Sequence, residues 1–364
     1  MKIGIYGGTF DPIHRGHITA AQAAAQQLGL DLLLLIPASI PPHKALPEGG
    51  ADAAQRLEMA TLAMAELSCP AQVLDVEVKR QGKSYTADTL RTLRRQYPED
   101  ELWLLMGTDM FLSLQDWREP QEILRLARVA AFSRTGDPEQ QRFARQRAYL
   151  EETFGAQVTV VENPHVVDIS STRLRQLLPE GREYLPEAVY GYILRQRLYG
   201  THAELKHLTP EELRPIALSY LKPKRMPHVL GTEQEAVRLT RRYGGDETQA
   251  RIAALLHDCT KKLELPEQLA LCAQYGIELD ALEQKALKLL HSKTGAAIAR
   301  SVFGVEDAVY DAIWYHTTGK PDMTRLEKIL YLADYIEPSR DFPGVEELRK
   351  AVYEDLDHGL LLGL

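Results

Sequence analysis

The sequence predicts an α/β doubly wound parallel sheet followed by an all-α domain, and three observations carry that prediction. Apolar strand-like runs alternate with helical stretches over the first 200 residues. From Pro210 onward the periodicity is helical, with no alternating strands. The chain has 364 residues, more than one ordinary hydrophobic core supports, so two domains are expected.

The strand candidates are Lys2–Tyr6, Leu32–Ile36, Val73–Val78, Leu102–Met106, Val129–Phe132 and Val158–Val161. Between them, Ala53–Leu67 reads as a helix with Leu57, Thr61, Met64 and Leu67 on one face, and Thr86–Gln96 as another. Strand–helix alternation implies a parallel sheet whose ligands bind at the carboxyl ends of the strands, near the switch in strand order. The second half contains the helical patterns Glu233–Tyr243, Thr248–His257, Pro266–Tyr275, Ala281–Leu290, Gly295–Phe303, Ala308–His316 and Arg325–Tyr335. Gly244-Gly245, Gly276, Gly304 and Gly319-Lys320-Pro321 supply helix stops and turns between them. The boundary is expected within Gly200–Leu208, after a helix Pro186–Leu198, giving domains 1–200 and 208–364.

Apolar residues make up 45% and charged residues 26%, the balance of a soluble globular protein. Net charge is −8 and both halves are negative. A basic face for nucleic acid is therefore not expected, and any phosphate is handled by a few placed cations. No apolar run approaches the ~20 residues that span a bilayer, so no membrane partner is expected. The N-terminus shows no signal-peptide pattern. The three cysteines, Cys69, Cys259 and Cys272, are odd in number and lack metal-ligand spacing, which fits a reducing cytoplasm. Self-association into a homo-oligomer is left open.

The first strand runs into Gly7-Gly8-Thr9-Phe10-Asp11-Pro12-Ile13-His14-Arg15-Gly16-His17. Paired glycines after a strand let the backbone turn sharply and bring N–H groups against an anion. His14 and His17, three apart, share a face at a helix start, where the helix dipole reinforces phosphate binding. Two imidazoles beside a triphosphate can donate to the charge that develops on the α-phosphoryl group.

This string resembles the signature of the HxGH nucleotidyltransferase superfamily. Its second half appears as Ile169-Ser170-Ser171-Thr172-Arg173-Leu174-Arg175. Ser170 or Ser171 can cap a helix facing phosphate, and Arg175, on the face of Thr172, can clamp the β- and γ-phosphates. Within the superfamily the chain is similar to nicotinate-nucleotide adenylyltransferases over about its first 200 residues. Pro41-Pro42-His43-Lys44 resembles that family's loop whose lysine reaches phosphate. Ser84–Leu90, with Thr86, resembles its substrate turn. Gly107-Thr108-Asp109, followed by Trp117, matches a nucleotide loop and an aromatic that stacks on the nicotinate ring. Phe132–Gly136, with Arg134, resembles its arginine-glycine segment, except that Thr135 replaces an expected proline. The resemblance implies a Rossmann-like nucleotidyltransferase for which Gly7, Gly8, Thr9, Phe10, Thr86, Gly107, Asp109, Trp117, Arg134, Ser170, Ser171 and Thr172 bind substrate. It implies direct attack of nicotinate mononucleotide on ATP, aided by His14, His17, Lys44, Arg175 and Mg²⁺ carried by the ATP phosphates.

In the second half, Arg225-Met226-Pro227-His228 precedes a helix, His257-Asp258 ends one, and His291 is expected at the end of Ala281–Leu290. His316 closes another helix, and Asp334 lies on a fifth. Four His and two Asp near helix ends form a ligand set for a dinuclear site in a helical bundle. Mixed imidazole and carboxylate donors suit iron, manganese or zinc better than calcium, and iron is the metal expected. These residues, with Leu256-His257-Asp258-x-x-Lys261 and Ala333-Asp334-x-Ile336-Glu337-Pro338-x-Arg340, resemble the HD superfamily. The closer likeness is to bacterial HD hydrolases that split diadenosine tetraphosphate into two ADP. By that resemblance, His228, His257, Asp258 and Asp334 hold one metal and His291 and His316 the second. Asp258 bridges them, and Lys261 and Arg340 meet the phosphates of a dinucleoside polyphosphate. The apolar run Gly359–Leu364 reads as a helix cut short, so a truncated HD domain is expected.

Other readings stay open. The first half could be a pantetheine-phosphate or other nucleotidyltransferase, although that family typically has threonine where His14 stands. It could also be a nucleotide sensor without turnover. The second half could act on cyclic nucleotides or deoxynucleotides, or be an inactive appendage.

Overall fold

A computed structural model describes the chain apart from residues 41–47, 81, 134–136 and 164–165; of residues 133 and 137–139 only the backbone is described. The chain divides into two compact units. One comprises Met1–Val189 and Leu198–Thr201, the other Tyr190–Arg197 and His202–Leu364.

The first unit is built on six parallel strands: β1 (Lys2–Gly8), β2 (Leu32–Pro37), β3 (Ala71–Val73), β4 (Glu101–Met106), β5 (Arg128–Ser133) and β6 (Val158–Glu162). Their order is β3-β2-β1-β4-β5-β6. β2 and β4 read as continuous apolar runs because helices cover both faces of a parallel sheet. β1 pairs with β2 on one side and β4 on the other, so the strand order reverses at its carboxyl end. This is the expected doubly wound sheet. The helix Thr86–Gln96 packs Ala87, Leu90 and Leu93 at helical spacing into a core with Ile3, Ile5, Leu34 and Leu104.

Two local expectations for this unit need correction. The third strand is Ala71–Val73, not Val73–Val78. After Leu74, whose N–H donates to the Leu35 carbonyl, the chain turns through Lys79 N–H to Asp75 O, and Glu77 points inward to accept from the Thr89 hydroxyl at 2.7 Å. The second helix ends at Ala63, followed by a 3₁₀ turn, Met64–Glu66. Its buried face carries Arg56, Met59, Ala60, Leu62 and Ala63, while Leu57, Thr61 and Met64 are only partly buried. Arg56 explains the rotation. Its fully buried guanidinium donates to the carbonyls of Thr9 (2.8 Å), Ala38, Ser39 (2.9 Å) and Ala51 (3.2 Å).

The second unit is all-α among its described residues, as expected. Its core joins Leu239, Ala253, Leu256, Ala299, Ile313, Leu330 and Val352 from six of its helices. Glycines at positive φ end or separate helices at Gly244, Gly276, Gly304 and Gly319. The expected helix Ala281–Leu290 is not formed. Asp280 accepts from the N–H groups of Leu282 and Glu283 ahead of a 3₁₀ turn, Glu283–Lys285, and one helix, Leu287–Phe303, takes in the rest. Gly295 does not interrupt it: a Cβ there would lie 3.3 Å from the His257 carbonyl, so glycine is needed for close packing rather than as a stop. Two helices lay outside the expected patterns, Pro210–Leu218 and Val345–Glu354, while the apolar run Gly359–Leu364, read as helical, falls on the helix Leu356–Gly363. No helix among the described residues is long and apolar enough to cross a membrane.

Candidate functional sites

At the carboxyl end of β1 the chain forms the loop that leads into the helix Arg15–Leu28. The residue at positive φ in this loop is Phe10 (φ 50°), not Gly7 or Gly8. Gly8 is required for space instead, since a Cβ there would lie 2.9 Å from the Phe10 ring. Gly16 lets the helix start fit, because its Cβ would lie 3.0 Å from the His14 ring and 3.2 Å from the Val167 carbonyl. The His14 and His17 rings lie 3.8 Å apart, and Phe10 meets His17 edge-on at 5.2 Å.

The backbone fixes the tautomer of His17. Its Nδ1 accepts from the His14 main-chain N–H at 3.2 Å, so the ring proton sits on Nε2 and is free to be donated. Burial pushes His14 down to about 4. Burial, with His14 beside it, holds His17 well below the usual histidine range. Both are therefore neutral donors at pH 7, and His14 Nδ1 is buried without a hydrogen-bond partner among the described residues.

His17 lines a cavity of about 350 Å³ with Gly7, Gly8, Thr9, Phe10, Thr86, Gly107 and Trp117. Glu77, Tyr85 and Arg118 line it as well, the Arg118 guanidinium lying 4.5 Å over the Tyr85 ring. Asp109 does not join them; it is exposed on the short helix Thr108–Leu112. Lys44 and Arg134 lie outside the described residues.

The serine-threonine stretch is joined to the first motif although more than 150 residues separate them. Ser170 caps the helix Ser171–Leu177 by accepting from Arg173 N–H, and the Ser171 hydroxyl donates to the Pro12 carbonyl at 2.9 Å. Arg175 donates to the Asp11 carbonyl at 2.5 Å and to Thr172 at 3.4 Å. Asp11 is buried, accepting from Ala51 N–H at 3.0 Å and from the Tyr199 hydroxyl at 2.7 Å. Arg56 and Tyr199 carry no local sequence signal, because their partners are scattered along the chain.

In the second unit four imidazoles and two carboxylates converge. His228, His257 and Asp334 have donor atoms within 4.8 Å of one another, as do His257, Asp258 and His316. Nε2 of His228 lies 3.4 Å from that of His257 and 3.0 Å from Asp334 Oδ1. Nε2 of His291 lies 3.2 Å from that of His316. Asp258 stands between the pairs: Oδ2 is 3.5 Å from His257, and Oδ1 is 3.3 Å from His291. His291 stands early in the helix Leu287–Phe303, not at the end of a preceding one.

Each Nδ1 faces an oxygen that can only accept: Ala254 O for His257, Lys288 O for His291, Ile313 O for His316 and Glu337 for His228. Each ring thus carries a hydrogen on Nδ1, and the Nε2 atoms point at one another and at carboxylates. Burial, then the neighbouring imidazoles, pushes His316 down to about 3, so extra protons do not settle there. Burial raises Asp258, but His257, His291 and Arg225 more than reverse it and hold it well below the carboxylate range. Close-packed lone pairs around an ionised, buried carboxylate call for cations. Asp258 Oδ1, buried without a hydrogen-bond partner among the described residues, fits the same requirement. Side-chain cations meet part of it. Arg225 lies 2.5 Å from Asp258 Oδ2, Arg340 2.6 Å from Asp334 Oδ1, and Lys261 Nζ 3.0 Å from His291 Nε2. Lys261 and Arg340 therefore rest on the cage itself.

Comparison with known proteins covers both units. Residues 5–177 match the cytidylyltransferase-like family model, and residues 225–339 match the HD domain model. The chain is 42% identical over 209 residues to a Gloeobacter violaceus protein named "Probable nicotinate-nucleotide adenylyltransferase", spanning 56% of this chain and 98% of that one. A Shewanella sp. (strain MR-7) protein of the same name is 40% identical over 215 residues, or 55% of this chain and 99% of its own. A crystal structure of a predicted HD superfamily hydrolase involved in NAD metabolism, from Clostridium acetobutylicum, is 44% identical, covers 43% of this chain and 82% of its own, and aligns with a TM-score of 0.41.

Proposed function

Since its first unit makes the chain a member of the nicotinate-nucleotide adenylyltransferase family, we propose that it transfers the adenylyl group of ATP to nicotinate mononucleotide. The observation that carries this reading is the neutral His17, its Nε2–H held free at the wall of a cavity that also presents Trp117 and Thr86. A phosphate oxygen of the mononucleotide forms a bond to the α-phosphorus of ATP. The bond from that phosphorus to the bridging oxygen breaks, and pyrophosphate leaves with the electron pair. The acceptor is already an anion, so no covalent enzyme intermediate is required. His14 and His17 donate to the charge that gathers on the α-phosphoryl oxygens. Trp117 offers a stacking face for the pyridine ring. Mg²⁺ arrives on the ATP phosphates, and Lys44, Arg134 and Arg175 are the candidate phosphate cations. Arg175 would exchange its bond to the Asp11 carbonyl for a phosphate oxygen.

For the second unit the proposed activity is phosphohydrolysis at a dinuclear centre. His228, His257, Asp334 and Asp258 Oδ2 would hold one divalent ion, and His291, His316 and Asp258 Oδ1 the other. Such ions, when bound, make a hydroxide available at neutral pH. Arg225 and Arg340, which neutralise the cage carboxylates, and Lys261, which lies against His291 Nε2, are then released to bind substrate phosphates. A dinucleoside tetraphosphate is the substrate of choice, with iron as the preferred metal.

Both readings are tested by product analysis on the purified chain. Pyrophosphate release from ATP with nicotinate mononucleotide, faster than with nicotinamide mononucleotide, is expected. ATP binding without release would leave a nucleotide sensor. Diadenosine tetraphosphate should yield ADP alone; AMP and ATP as products would remove symmetric cleavage.

A further inference from the structure

Three of the four cage histidines are held alike. His257, His291 and His316 give their Nδ1 hydrogens to neutral main-chain carbonyls three residues earlier, at 2.6, 2.8 and 2.6 Å. His228 differs. It stands in the first turn of the helix Met226–Tyr243, and its Nδ1 donates to the Glu337 carboxylate at 2.9 Å.

Glu337 is built into place. It is buried, its Oε1 accepts from the Ser339 hydroxyl at 2.5 Å, and its Oε2 accepts from the Ser339 N–H at 2.7 Å. The facing helix gives it room through Gly231, where a Cβ would lie 2.6 Å from Oε2. A charged acceptor forms a stronger hydrogen bond than a carbonyl and raises the basicity of the opposite ring nitrogen. That nitrogen, His228 Nε2, is the one beside Asp334 and His257.

We propose that Glu337 is a positioning residue that makes the metal position of His228, His257 and Asp334 the tighter of the two, so that the positions fill in order. The proposal rests on the reading above that the cage holds divalent cations.

The test is titration of the chelator-treated full chain with Co²⁺, followed by calorimetry and by the visible absorption of the bound ion. The wild type should show two classes of site. In Glu337→Gln the first class should weaken by roughly 10–100-fold, with an altered absorption band, while the second class and the metal-free melting temperature stay unchanged. Gly231→Ala, which drives Glu337 back without touching its charge, should weaken the same class and serves if Glu337→Gln does not fold. Ser339→Ala keeps the carboxylate and should stay within a few-fold of wild type. Equal weakening of both classes, or of neither, overturns the proposal. A wild-type chain that takes up no Co²⁺ overturns it together with the metal reading, and the two failures are thereby told apart.

Discussion

His14 and His17 were legible because their spacing at the end of a strand is a chemical pattern in itself; what the pattern could not supply was the tautomer. That came from one backbone bond, His14 N–H to His17 Nδ1, which leaves Nε2–H as the donor. Replacing His17 with alanine should therefore lower the turnover rate by roughly 10²–10³-fold, the scale for one preorganised donor to developing charge, with the melting temperature held. A variant within a few-fold of wild type would remove His17 from the chemistry. The same burial makes a stability prediction. Unfolded, His14 takes a proton near its ordinary 6.5; folded, it does so at about 4. The unfolded chain binds the extra proton between those values, so this contribution to stability is complete above about pH 6.5 and is lost as pH falls toward 4. At pH 5 the loss from His14 alone is roughly 2 kcal/mol. Thermal melts at pH 7 and pH 5 should show a smaller acid shift for His14→Gln than for the wild type, and equal shifts would defeat the argument. Arg56, by contrast, was not legible. A cation in a helical pattern reads as a solvent-facing residue, and only the fold brings together the carbonyls of residues 9, 38, 39 and 51 that it serves.

At the scale of elements, legibility followed periodicity and failed where side chains outside the element decided the outcome. Thr86–Gln96 was read to the residue because its apolar face is also its buried face. The third strand was misplaced because Val73–Val78 alternates like a strand, while Glu77 turns inward to a partner twelve positions away. His291 was assigned to the wrong helix because the pattern was split into Ala281–Leu290 and Gly295–Phe303, yet Gly295 sits inside Leu287–Phe303 and admits the His257 carbonyl. Glycine as a packing device recurs at Gly191, on the helix Glu187–Gln196. A Cβ there would fall 1.8 Å from the Pro215 carbonyl oxygen and 2.6 Å from Ile216 N, on the helix Pro210–Leu218. Backbone cannot swing aside as a side chain can, so the two helices must part. Overpacking usually costs about 1–3 kcal/mol, and Gly191→Ala should reach or exceed the upper end. Urea denaturation followed by circular dichroism measures it; a loss below about 1 kcal/mol would show that these helices separate freely.

Over the whole molecule, the change of rhythm near residue 200 marked two architectures, and each has its own core of described residues. Less visible was the route of the joining segment. Tyr190–Arg197 packs with the second unit, yet Leu198–Thr201 returns to the first, where Tyr199 bonds Asp11. No composition shift signals that, because one hydroxyl and one carboxylate 188 positions apart decide it. Separate cores imply that chemistry lost in one unit need not be lost in the other. Asp258 gives the sharpest test. Its two oxygens face different histidine pairs, and its charge is what the imidazoles, Arg225 and the proposed ions gather around. Asp258→Ala removes that centre, and Asp258 belongs to the second unit. The variant should lose dinucleoside tetraphosphate cleavage and most of its bound transition metal, and should keep adenylyl transfer to nicotinate mononucleotide within about two-fold, since sites that share no partners add no coupling. Metal analysis and both assays on one preparation give the answer. Unchanged metal content would break the ligand assignment, whereas a parallel fall in adenylyl transfer would mean that the second unit supports the first site and that the two do not function independently.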